Sequence, residues 1–226
     1  MSVFSERREQ MLIRHPYDVE ISERKYNSVL GGTILWGIAL NVLLCYFCGD
    51  MVLRMNPIAF YLGYFVLVIA GTAITIKSDN PFVSFLGYNM VVVPVGLVVA
   101  SVVTLYGGLD SSVVLHAFFF TGVITGCMIM LSIAYPGFFA RIGGLLFGVS
   151  IGMMLCWFLS WFLGFDTYWY SWLGAILFSL YIGYDYWRAQ TYVKTVDNAV
   201  DSAAAIYLDI VNLFLHLLRI FGRSDD

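Results

Sequence analysis

The chain has 226 residues, 60% of them hydrophobic, 17% aromatic and only 12% charged, with a mean hydropathy of +0.82 and a formal net charge of −3. A soluble domain carries roughly 25% charged residues, and a single core of this size cannot hide so much apolar surface, whereas an integral membrane protein leaves it to lipid. These figures exclude a soluble enzyme, a disordered chain and a nucleic-acid binder, which needs a basic field for phosphates.

Residues 1–27 are polar and mixed in charge, and they lack the positive, apolar, small-residue order of a cleaved signal. They read as a cytoplasmic segment. Seven apolar stretches follow, each near the roughly 20 residues that cross about 30 Å of hydrocarbon: 28–49, 57–76, 82–106, 112–135, 138–164, 167–187 and 202–221. They form one transmembrane domain over residues 28–221, with a short tail at 222–226. The joints carry turn chemistry or charge, as in Lys77-Ser78-Asp79-Asn80-Pro81, Gly107-Gly108-Leu109-Asp110, Pro136-Gly137 and Gly164-Phe165-Asp166. The fold class expected is all-α, a seven-transmembrane-helix bundle.

Basic residues orient such a bundle. With the N-terminus inside, the cytoplasmic segments hold Arg7, Arg8, Arg14, Arg24, Lys25, Lys77, Arg141, Arg188 and Lys194, and the other side holds Arg54, Arg219 and Arg223. The balance favours a cytoplasmic N-terminus and an external C-terminus. Tyr168, Trp169, Tyr170 and Trp172 at one boundary of span six, and Tyr184, Tyr186 and Trp187 at the other, fit aromatic anchors.

Several local patterns carry no chemistry. Cys45, Cys48, Cys127 and Cys156 lie in apolar runs and make no disulfide framework, and Cys45-x-x-Cys48 reads as helix packing. Pro94 is expected to kink span three. Gly148-Val149-Ser150-Ile151-Gly152 matches the nucleophile-elbow pattern, but it lies inside an apolar helix rather than on a strand-to-helix turn. With Gly143 and Gly144 it reads as a small-residue stripe for close helix packing. A retinal Schiff base is excluded, because Lys25, Lys77 and Lys194 all lie at or outside span boundaries.

Ionisable groups within spans cost at least a few kcal/mol and are functional candidates by default. Asp185 lies near the inner end of span six, and Asp209 lies about two turns into span seven. Asn41, Asn89, His116, Asn212 and His216 are the notable neutral polar groups, and Arg219 is placed to snorkel. On a helical wheel Ser202, Asp209, Asn212, His216 and Arg219 share an arc of about 100°. Ile206, Leu208, Ile210, Val211, Leu215 and Leu217 fill the opposite arc. A lipid-facing helix cannot carry such a polar stripe, so span seven is expected to face protein or a wet cavity.

Spans six and seven run antiparallel, and Asp185 and Asp209 differ in depth by about 6 Å, which helix tilt removes. Two carboxylates brought together in a low dielectric tend to share one proton. Such a pair can sense pH, take a hard cation such as Ca²⁺ or activate water.

The stretch Phe178-Ser179-Leu180-Tyr181-Ile182-Gly183-Tyr184-Asp185, followed by Tyr207-Leu208-Asp209-Ile210-Val211-Asn212-Leu213-Phe214-Leu215-His216-Leu217-Leu218-Arg219-Ile220-Phe221-Gly222, resembles the Bax inhibitor family. The resemblance is strong over about 45 residues, and the seven-span layout fits across the rest. It implies a central seventh helix wrapped by the other six. It also implies a pH-sensitive calcium leak, with Asp185 and Asp209 as sensor and gate. Family members carry arginines at the inner end of span two, one of which latches the span-six aspartate. Here Lys77 stands there, a possible latch without the bidentate fork of arginine.

The expected function is therefore a pH-regulated calcium-leak channel rather than an enzyme. Ca²⁺ is the transported ion, bound transiently by Asp185 and Asp209, and no cofactor is expected. Asn212, His216, Ser202 and Arg219 are the expected pore-lining residues. The bilayer and an integral membrane protein are the expected partners, and a bacterial inner membrane is the expected location. The competing class is a non-conducting scaffold that regulates a partner such as a membrane protease. An intramembrane aspartyl protease is a remote third reading, because Tyr184-Asp185 fits its first segment but Tyr207-Leu208-Asp209 stands where Gly-x-Gly-Asp is needed.

Overall fold

A computed structural model describes residues 9–13, 19–163 and 168–223. Arg7, Arg8, Arg14, His15, the Gly164-Phe165-Asp166 joint and the last three residues lie outside the described residues. Among the described residues, seven long helices run in chain order: α1 (Glu23–Leu53), α2 (Pro57–Lys77), α3 (Pro81–Leu105), α4 (Ser112–Ala134), α5 (Pro136–Leu163), α6 (Tyr168–Thr191) and α7 (Val196–Gly222). A helical turn at residues 9–12 precedes them.

The helix starts follow local chemistry. The Asn56 side chain accepts from the Ile58 and Ala59 amides at 3.0 and 3.2 Å, ahead of Pro57. Asn80 accepts from the Phe82 amide at 3.0 Å, ahead of Pro81. Both are side-chain caps followed by a proline that has no amide to leave unpaired. Ser22 caps α1 at the Lys25 amide, with Glu23 in the first turn, so α1 begins before the apolar run. The Thr195 hydroxyl accepts from the Asn198 amide at 3.1 Å. This cap starts α7 six residues before the expected span, and only residues 192–195 separate α6 from α7.

Among the described residues, six helices are long and apolar enough to cross a membrane: α1, α2, α3, α4, α5 and α7. The expected seventh, α6, has 24 residues, enough for about 36 Å. Its Tyr and Trp residues at both ends, together with Asp185 and Arg188, lower its hydropathy. The other helices expose many large apolar side chains, including Ile58, Leu62 and Phe65 on α2, Phe118 and Phe119 on α4, and Leu145, Phe147 and Met154 on α5. Such surfaces suit lipid.

The chain divides into two compact units. The first holds residues 1–109 and 189–207. In it, α1 and α2 both pack on α3. Gly71 and Gly87 make the α2–α3 crossing possible, because a Cβ on Gly71 would lie 2.6 Å from the Gly87 carbonyl oxygen. Several buried polar groups in this unit are paired. The Tyr26 hydroxyl donates to the Ala189 carbonyl at 2.9 Å and lies 3.3 Å from Ser202 Oγ. Tyr88 donates to the Thr33 carbonyl, Ser84 to Asp197 at 2.6 Å, and Tyr207 to Asn41 Oδ1 at 3.0 Å. Asn89 accepts from the Trp36 indole. Asn41 and Asn89 thus bond between helices.

The segment before α1 joins the same unit. The Ile21 amide donates to the Lys194 carbonyl at 2.8 Å, and the Val193 amide donates to the Met11 carbonyl at 3.0 Å. The Lys194 ammonium lies 4.4 Å from the Tyr26 ring centre and donates to the Gln190 carbonyl at 2.8 Å, closing the end of α6. Burial pulls Lys194 below the usual lysine range, with Glu23 acting the other way. Tyr26→Phe is expected to cost about 1 kcal/mol, since it removes the hydroxyl that joins the Ala189 carbonyl and Ser202 and leaves that carbonyl to the Lys194 ammonium at 3.2 Å. The shift in the denaturant midpoint of the purified protein in detergent measures it.

The second unit holds residues 110–188 and 208–226. Here α4 packs on α5, and Phe139, Ile142, Leu146, Met153 and Leu177 form a core under Leu180, Tyr181 and Tyr184. The expected small-residue stripe is corrected at this point. A Cβ on Gly144, Gly148 or Gly152 would meet nothing within 4 Å, and only Gly143 of the set abuts a side chain, that of Tyr184. Residues four apart share one helix face, and this face is open.

Candidate functional site: a buried carboxylate pair

Asp185 comes from α6 and Asp209 from α7, both within the second unit. They are 9% and 8% exposed, and their side chains are in hydrogen-bonding contact. A carboxylate has no proton to donate, so a bond between two such groups requires one of them to be protonated. Asp209 Oδ2 is buried without a hydrogen-bond partner among the described residues. The two positions expected to meet are thus together.

The cation on the pair was not singled out from the sequence. Arg188 Nη1 lies 3.4 Å from Asp185 Oδ1, one turn further along α6, and the Arg188 guanidinium carbon lies 5.6 Å from the Tyr184 ring centre. Its charge also acts on Asp209. The i,i+3 spacing of Asp185 and Arg188 was an available signal. Lys77, the expected latch, is the last residue of α2 and is exposed.

Hydroxyls extend the site. Tyr181 precedes Asp185 by four residues and shares its helix face. The charges of Asp209 and Asp185 both bear on its phenol. Tyr181 Oη lies 3.0 Å from Ser150 Oγ on α5, and Ser150 donates to the Leu146 carbonyl at 2.9 Å.

The other expected site residues separate. Asn212 is half-buried and donates to the Leu208 carbonyl of its own helix at 2.8 Å. His216 is buried, stacked on Phe178 at 5.6 Å between ring centres and tilted against Tyr170 at 5.7 Å. Its Nδ1 has no hydrogen-bond partner among the described residues. Arg219 is exposed. Ser202 is buried in the first unit beside the Tyr26 hydroxyl. His116 is exposed, with its ring 6.4 Å from that of Phe221. The apolar arc of α7 is mostly buried as well, at Ile206, Ile210, Val211 and Leu217, so α7 hides both of its arcs along much of its length.

Comparison with known proteins agrees with this architecture. Residues 24–226 match the family described as Inhibitor of apoptosis-promoting Bax1. An uncharacterized protein of Helicobacter pylori (strain ATCC 700392 / 26695) is 35% identical over 109 residues, which is 47% of this chain and 46% of that protein. Bax inhibitor 1 of Saccharomyces cerevisiae is 49% identical over 59 residues, covering 25% of this chain and 19% of the yeast protein. The chain spans a little under half the length of the Helicobacter relative and about a fifth of the yeast one. With nearly its whole length matched to the family, this helical, membrane-suited chain belongs to the Bax inhibitor family.

Proposed function

We propose that this protein is a pH-regulated calcium leak of the membrane, with all seven helices spanning and Asp185 and Asp209 as its proton sensor. The observation that carries the reading is the buried contact between the two carboxyl groups. With one proton the pair is a clasp between α6 and α7. Without it, two charges must separate or recruit a cation. Full protonation removes both the repulsion and the affinity for a cation.

Two carboxylates offer at most four of the six to eight oxygens that Ca²⁺ takes. Water completes the shell, which suits an ion in passage rather than one in residence. Asn212 and His216 belong to the same helix and unit and are the proposed lining residues beyond the pair. In this reading the N-terminus is cytoplasmic and the C-terminus external, by the balance of basic residues. A bacterial inner membrane is the proposed location.

Calcium entry into liposomes carrying the purified protein, followed across pH, tests the proposal. Entry that changes with pH supports the leak. Zero entry at every pH returns the protein to the scaffold reading, a non-conducting regulator of an integral membrane partner.

Arg188 makes a second prediction. Its charge stabilises the ionised pair, so Arg188→Gln should move the pH midpoint of entry upward by roughly half a unit, and Arg188→Lys should restore most of it. Lys77→Ala, run in parallel, raises basal entry if Lys77 latches span six and leaves it unchanged if Arg188 serves alone.

A further inference from the structure

A hydroxyl inside an apolar helix has a local way to satisfy itself, by donating to the carbonyl one turn back. Thr121 on α4 does so to Ala117 at 2.7 Å, Ser150 on α5 to Leu146 at 2.9 Å, and Ser179 on α6 to Ala175 at 2.6 Å. Two further hydroxyls of α4 forgo that bond. Thr125 Oγ1 and Ser132 Oγ are buried with no hydrogen-bond partner among the described residues, and Ser132 is only 2% exposed. A buried hydroxyl left without a partner is costly, so a pair of them on one helix points to a polar ligand.

The hydroxyls share one face. On a helical wheel Thr121, Thr125 and Ser132 fall within an arc of about 40°. Val114 and Ala117 lie on the same side and are buried. Met128, between Thr125 and Ser132, packs on the core of the second unit, to which all of α4 belongs. The opposite side carries Phe119, Val123 and Met130, all exposed. The hydroxyl stripe therefore faces the interior of that unit and not lipid. Side chains one turn apart lie roughly 5–6 Å from each other at Cβ, a gap that one water spans between the lone pairs of Thr121 and the hydroxyl of Thr125.

We propose that this face of α4 is a water-binding wall of the ion path, with Thr125 and Ser132 as its hydrogen-bonding positions. A hydroxyl both donates and accepts, so each position holds a water whose oxygen remains free to ligate a passing divalent cation. The wall is neutral. It keeps the ion hydrated without adding charge to retain it, as conduction requires binding weak enough to be undone. The role in conduction rests on the leak proposed above, whereas the binding of water does not.

The test is thiol labelling of the full chain in liposomes, with Cys45, Cys48, Cys127 and Cys156 replaced by alanine. Thr125→Cys and Ser132→Cys are compared with Val123→Cys and Met130→Cys on the opposite side, using a small cationic methanethiosulfonate. Only a thiol in contact with water ionises, so positions 125 and 132 should react at least about tenfold faster than 123 and 130. Equal or slower reaction overturns the wet wall. Labelling at 125 or 132 should also reduce calcium entry several-fold; fast labelling with unchanged entry overturns the part given to the wall in conduction. Fast labelling of a protein that passes no calcium leaves the water site standing and overturns the leak. Thr125→Val and Ser132→Ala guard against a misfolded cysteine variant. On a wet wall each removes a partner of bound water and lowers the denaturant midpoint. A midpoint that rises in both marks a dry face relieved of an unpaired hydroxyl and overturns the proposal.

Discussion

Asp209→Asn is expected to flatten the pH dependence of calcium entry and to weaken calcium binding, and Asp185→Asn should do the same. Each variant replaces a group that holds or loses a proton with an amide that does neither. The remaining aspartate, freed of its like-charged partner, then ionises as an isolated carboxyl group beside Arg188. Loss of the clasp should leave entry fixed near one level across the range in which the parent responds. Because both side chains are buried and Asn is nearly isosteric with Asp, misfolding is a minor concern. An unchanged denaturant midpoint in detergent would confirm it.

The second large effect is structural. A Cβ on Gly174 would fall on the His216 ring, and that ring is already held by Phe178 and Tyr170. Gly174→Leu should therefore expel His216 and cost about 3 kcal/mol, at the upper end for overpacking. Gly174→Ala should cost less, and less again in a His216→Ala background, because the two positions share one space. Gly144→Leu and Gly148→Leu meet open surface and should change stability by no more than about 0.5 kcal/mol. Denaturant midpoints for this set read the contrast directly. Equal losses at Gly174 and Gly148 would contradict the assignment of open and closed faces.

These contrasts also mark what the residues disclose on their own. Asn56-Pro57 and Asn80-Pro81 announce helix starts because the side chain and the ring impose them locally. The carboxylates of Asp185 and Asp209 stand out because charge is costly in an apolar run. The early start of α7 is harder to see. Thr195 and the alanines after it extend the helix beyond the apolar segment, and helix and membrane span are different quantities. The stripe at Gly144, Gly148 and Gly152 misleads because small residues look the same whether they face a neighbouring helix or lipid. Arg188 and Tyr181 carry spacing signals toward Asp185, but a rotation of α6 decides which neighbours they meet. The pairing of Ser150 with Tyr181 depends on how α5 and α6 pack, which no local pattern specifies.

The central claim is that Asp185 and Asp209 act as one proton-holding unit, and a double-variant cycle tests it most directly. Calcium entry across pH is measured for the parent, Asp185→Asn, Asp209→Asn and the combination, all in the same liposomes. The account predicts that the double variant adds little to either single one, because removing one partner already dissolves the unit. Two single effects that simply sum, or a pH response that survives both substitutions, would contradict it.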